Sequence, residues 1–185
     1  SIESSLNNHM SVLNSVTQDE YVRQHEIISA SVGQHVRHSL FHVKSSLELL
    51  KDPHTNVNYD ERPREDEIET SLAAAKEAVQ SMLDSLPTSS SSSSTATNTP
   101  VNVTFKTTPS INTTFPSSLS RELFFASHHS LHHLSSVKIA LTSMGVGAAS
   151  DLGKAPSTVA HESSSNDSPS SDDSPSSDDS PSSDD

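Results

Sequence analysis

The chain has 185 residues, with 24 acidic and 11 basic side chains and a formal charge of −13. Eight of the acidic groups fall in residues 162–185, which hold no Lys or Arg, leaving 16 acidic against 11 basic residues elsewhere. Neither part offers the basic patch that phosphate-backbone binding requires, which excludes nucleic acid, and the absence of cysteine excludes disulfides, thiolate metal sites and a cysteine nucleophile.

Residues 2–16 set Ile2, Leu6, Met10 and Leu13 at steps of four, four and three, which predicts an amphipathic helix. Thr17–Glu20 breaks the pattern and can cap a short turn around Tyr21 and Val22. From about Ser31 to Leu50, Val32, Val36, Leu40, Val43, Leu47 and Leu50 form one apolar stripe at helical spacing. Pro53 closes that helix, and the polar, proline-containing residues 53–67 read as a loop. A third helix is expected at about 68–86, with Leu72, Ala75, Val79, Met82, Leu83 and Leu86 on one side and Pro87 at its end.

Residues 88–100 are a flexible Ser/Thr insertion around the serine run Ser89–Ser94. Val101–Thr108 alternates apolar and polar residues, the mark of a short half-buried strand, with Ser110–Phe115 as its hairpin mate. After Pro116, Ser117 or Ser118 can cap a fourth helix that ends near Met144 and Gly145. Beyond Gly147 the composition drifts to Ser, Asp and Pro, and residues 167–185 repeat Asp-Ser-Pro-Ser-Ser-Asp, a disordered tail. The expected class is therefore all-α: a four-helix bundle over residues 1–147, a short β-hairpin between the third and fourth helices, and a disordered acidic tail over 148–185.

No apolar run approaches the roughly 20 residues of a spanning helix, and residues 1–30 lack the apolar core of a secretory signal, so no membrane and a cytoplasmic location are expected. The chain begins at Ser1 rather than Met, as a fragment or processed product would. Without a secretion signal, the sequons at Asn102 and Asn112 read as accidental.

Chemistry concentrates in histidine. The fourth helix carries His128, His129, His132 and His133, two interleaved pairs spaced i, i+4. That spacing stacks two imidazoles one turn apart on one face, where they can share a metal ion. Metal sites between packed helices draw ligands from facing elements, and the second helix supplies His35, His38 and His42. The plainer alternative is an exposed face that is rich in histidine. On the fourth helix the apolar stripe centres near Leu123, Leu134 and Leu141, with His133 about 80° and His129 about 120° from it, which favours that pair over His128 and His132. On the second helix His35 and His42 border the stripe and His38 lies nearly opposite, so His35 and His42 remain substitutes for His38.

Three segments carry a family resemblance: Ser31-Val-Gly-Gln-His-Val-Arg-His38; Tyr59-Asp-Glu-Arg62 with Ile68-Glu-Thr70; and Arg121-Glu-Leu-Phe124 leading into His129-Ser-Leu-His-His133. Over residues 1–145, apart from the serine insertion, the sequence resembles the DinB-like superfamily of metal-binding four-helix bundles. The resemblance implies a divalent metal ion (Zn, Ni or Fe) on His38, His129 and His133. It also implies metal-dependent transfer, with thiol-dependent transferases among the family's members, or hydrolysis. The alternative is a non-catalytic structural, metal-handling or interaction domain. His35, His128 and His132 read as outer partners or solvated groups, and Glu122, seven residues before His129, as a carboxylate partner for it or as a favourable charge in the first helical turn. Arg37, Arg62 and Arg121 with Asp60 and Glu69 are expected in structural salt bridges. The expected partners are a small-molecule substrate and a second copy of the chain in a homodimer. Ser168, Ser174 and Ser180 each precede Pro, and Ser170 and Ser176 lie ahead of Asp pairs, which suits the tail to phosphorylation, the equal alternative being a solubilising low-complexity extension.

Overall fold

Short polar side chains decide where the helices start, because the first amides of a helix have no partner within it. In the computed structural model, which describes residues 1–61, 67–87 and 98–166, the elements run α1 (Ile2–Ser15), α2 (Gln18–Val22), α3 (Val32–Lys51), β1 (Val57–Asn58), α4 (Glu67–Thr70), α5 (Leu72–Asp84), β2 (Pro100–Thr108), β3 (Ile111–Ser118), α6 (Leu119–Ser143) and α7 (Pro156–Asn166). Thr17 with Glu20, and Ser31 with Gln34, form reciprocal capping boxes at α2 and α3. Ser71 caps α5 and Ser118 caps α6. Two compact units divide the chain, Ser1–Lys154 and Ala155–Asp185. Within the second lies α7, a helix in a stretch whose composition predicts none; the repeats at 167–185, the serine run and Arg62 lie outside the described residues.

The all-α four-helix class is overturned. Among the described residues there are seven helices and a three-stranded mixed sheet, so the fold is α/β. The hairpin of β2 and β3 runs antiparallel from Pro100↔Ser118 to Thr108↔Ile111, with an irregularity between Lys106 and Thr108. It gains a third strand, because β1 pairs parallel to β2 through Val57↔Val103 and Asn58↔Thr104. Two residues inside a polar loop show no alternation, so this long-range pairing leaves no local pattern.

The helix expected at 68–86 is also divided. Ser71 adopts an extended conformation between α4 and α5. Gln18 of α2 secures the break, its Nε2 donating to Thr70 O at 2.8 Å and its Oε1 accepting from Leu72 N at 2.9 Å. Tyr21 adds a bond from its hydroxyl to Ile68 O. Gly33 admits this arrangement, since a Cβ there would collide with the Glu69 carbonyl oxygen.

Two apolar cores result. Leu6 and Leu13 of α1, Val36, Leu40 and Val43 of α3, Val79 of α5, and Leu134 and Leu141 of α6 fill the helical core. A second cluster joins Val57, Tyr59, Val101 and Val103 of the sheet region to Leu49 of α3 and Leu119 of α6. α3 and α6 thus face both cores and each other. Among the described residues no helix is long and apolar enough to cross a membrane.

Candidate metal centre

Where α3 meets α6 beside the histidines, two small side chains touch. Ser39 Oγ donates to Ser130 Oγ at 2.9 Å, and both serines are fully buried. Interhelical distance depends on the side chains at the contact, and serine holds it short. His38 immediately precedes Ser39 and His129 immediately precedes Ser130, so the close approach brings their rings together. His42 and His133 follow one turn later on their respective helices.

The ring nitrogens converge. His38 Nε2 lies 3.0 Å from His129 Nε2, and His133 Nε2 lies 3.1 Å from His129 Nε2. The ligand atoms of His38, His129 and His133 all fall within 4.8 Å of one another, and all three residues are half-buried. A tetrahedral ion with metal–nitrogen bonds of about 2.0–2.1 Å needs nitrogens about 3.3–3.4 Å apart, so small ring movements fit these donors to one ion. Three neutral imidazoles can aim three lone pairs at a cation, and each of those lone pairs must be free of a proton. For His133 burial, followed by the neighbouring His38, His129, His35 and His132, lowers the pKa to about 2, which keeps the ring neutral.

Aromatic neighbours hold the rings. Phe125 stacks on His129 with centroids 5.5 Å apart. His42, buried at 5% exposure, lies with its centroid 4.2 Å from that of His129 and 4.9 Å from that of His38. Tyr59 stacks on His42 at 4.9 Å, and its hydroxyl donates to Glu122 Oε2 at 2.8 Å. Burial, then the Glu122 charge and this hydrogen bond, push the Tyr59 phenol well above its ordinary range, so it stays a donor.

The remaining histidines of the two stripes separate clearly. His35 Nδ1 lies 2.9 Å from His133 Nδ1, on the far side of that ring from His129. Burial, followed by the nearby His132, lowers the His35 pKa. His128 and His132 are exposed, and His128 stacks on Phe124 at 5.8 Å.

Glu122 does not serve His129. It is fully buried, and both of its oxygens take other donors: Oε2 from Tyr59, Oε1 from Ser117 Oγ and from Arg121 Nη1 at 2.7 Å. A helical offset of seven residues does place it on that face, but the sheet lies against that turn and claims the carboxylate. Of the expected salt bridges, Arg37–Glu69 forms at 3.2 Å and ties α3 to α4, and Asp60 accepts the backbone amide of Lys106. Tyr59, Ser39 and Ser130 have structural roles at the centre that residue patterns did not assign. The available signal was a small polar residue directly after a histidine on each of two helices.

No family model and no solved structure matches the chain. Among curated proteins it is similar to FK506-binding protein 5 of Rhizopus delemar, at 35% identity over 109 residues. The match covers 58% of this chain but spans only 28% of that relative's length.

Proposed function

We propose that this protein binds a divalent metal ion, Zn, Ni or Fe, through His38, His129 and His133, and uses it for transfer or hydrolysis of a small molecule. The observation that carries the reading is the convergence of three Nε2 atoms from two helices, with separations of 3.0 and 3.1 Å at His129. The resemblance to DinB-like proteins supports the same three residues. When bound to three protein ligands, such an ion keeps a position for water or substrate and supplies Lewis acidity there. The chain's own part is to hold His133 neutral, to fix the His129 ring against Phe125, and to bring the two helices close through Ser39 and Ser130.

One observation favours a non-catalytic, metal-handling reading: His42 is buried beside His38 and His129, where a fourth protein ligand would close the site. Replacing His42 by Phe separates the two, since an open three-ligand site keeps its metal content and cobalt(II) spectrum, whereas a closed one loses a ligand. FK506 binding, named for the Rhizopus relative, is not part of the proposal. A cytoplasmic location is, and subcellular fractionation tests it.

The deciding experiment is elemental analysis of the purified protein beside a His129→Ala, His133→Ala double variant. Stoichiometric transition metal in the wild type and none in the variant is expected. Equal, near-zero metal in both overturns the reading.

A further inference from the structure

We propose that His35 is a positioning residue: it fixes His133 in the Nδ1–H tautomer and so turns the His133 Nε2 lone pair towards His38 and His129. The inference rests on the reading of those three histidines as a metal site.

Both nitrogens of the His133 ring are engaged, on opposite sides. Nδ1 lies 2.9 Å from His35 Nδ1, and Nε2 lies 3.1 Å from His129 Nε2. A neutral imidazole carries one N–H and one lone pair, so a single proton couples these two contacts. With that proton on Nε2, His133 would point an N–H at the spot where three lone pairs must meet. With it on Nδ1, His133 donates to the His35 Nδ1 lone pair and its Nε2 is bare. His35 then carries its own proton on Nε2, a buried atom with no hydrogen-bond partner among the described residues, a cost that the contact to His133 offsets.

The geometry follows from the order of residues on α3. His35 precedes the ligand His38 by three residues, so both rings lie on the face that meets α6. One helix therefore supplies a ligand and, one turn earlier, the acceptor that orients a ligand of the other helix. The usual partner for the outer nitrogen of a metal-ligating histidine is a carboxylate or a carbonyl. Here it is a second imidazole, which orients the ring without adding negative charge to the centre. Glu122, the nearest candidate carboxylate on α6, is committed to Tyr59, Ser117 and Arg121.

The test uses the full chain in three forms: wild type, His35→Leu, which removes the acceptor, and His35→Asn, whose side-chain oxygen can take the place of Nδ1. Nitrogen-15 NMR of the imidazoles in the metal-free protein at neutral pH reads the tautomer directly, and cobalt(II) titration reads metal affinity. His133 is expected to be protonated on Nδ1 in the wild type and in His35→Asn, and to lose that preference in His35→Leu. Cobalt(II) affinity is expected to fall about 10- to 100-fold in His35→Leu and to be largely restored in His35→Asn. Protonation of wild-type His133 on Nε2 overturns the proposal, as does wild-type cobalt affinity in a folded His35→Leu. The wild-type spectrum needs no variant to fold. A wild type that binds no cobalt(II) removes the metal reading instead, and the tautomer of His133 then decides the His35 contact by itself.

Discussion

Among the groups through which acidification should destabilise the fold, His9 of α1 is the one buried in the helical core away from the candidate site. His9 is 1% exposed. Its Nδ1 lies 2.7 Å from Ser5 O, and because a carbonyl can only accept, Nδ1 carries the proton. Nε2 is buried and has no partner among the described residues. A second proton would add a charge and an unaccepted N–H to the core. Burial accordingly lowers the pKa from 6.5 to about 4, against a smaller upward pull from the Ser5 bond. The unfolded chain then binds a proton that the folded chain refuses, so stability falls as pH drops below about 6.5 and the loss is complete below about 4. The limiting loss is about 3 kcal/mol, of which about 2 kcal/mol is reached at pH 5. Urea denaturation of wild type and His9→Leu at pH 7 and pH 5 measures it. Leucine fills a similar volume without titrating, and the other histidines are common to both proteins. The stability difference between the two should therefore move by about 2 kcal/mol in favour of His9→Leu on going to pH 5. The same pH dependence in both proteins would refute the assignment of that loss to His9.

Three further outcomes are expected. Ser130→Leu should force α3 and α6 apart where Ser39 and Ser130 touch, costing about 1–3 kcal/mol by overpacking and lowering metal content in the same sample; retained metal at full occupancy would show that helix spacing does not control the site. Tyr59→Phe removes one donor from the buried Glu122 carboxylate, and a loss of about 1.5–3 kcal/mol in urea denaturation is expected; an unchanged midpoint contradicts it. Gly33→Ala, which would ordinarily strengthen a helix, should lower Tm because the new Cβ meets the Glu69 carbonyl oxygen; an equal or higher Tm argues against that contact.

Local patterns carried a good deal of this molecule. The steps between Ile2, Leu6 and Leu13, or between Val36, Leu40 and Val43, are properties of a single helix, and all six residues are buried. Capping is equally local, so Thr17 and Ser31 could be recognised before any packing was known. The division at Ser71 could not, because it depends on Gln18, more than fifty residues away. The same holds for β1, whose two residues acquire their strand character from Val103 and Thr104.

At the candidate centre the boundary falls in the same place. That His129 and His133 share a face of one helix was legible in the residue order, because a period of 3.6 residues requires it. The order also showed that α3 carries a histidine stripe, within which the helical period did not rank His35, His38 and His42 and only the family resemblance pointed to His38. The packing of α3 on α6 groups His38 with His129 and His133. With Ser39 against Ser130 where α3 meets α6, His38 Nε2 comes within 3.0 Å of His129, His35 lies behind His133, and His42 is buried against Tyr59. A wheel drawn for one helix holds the angle of each side chain about that axis. Which ring reaches which depends on the distance and register between two axes, which the packed side chains of both helices set together, the buried Ser39–Ser130 pair among them.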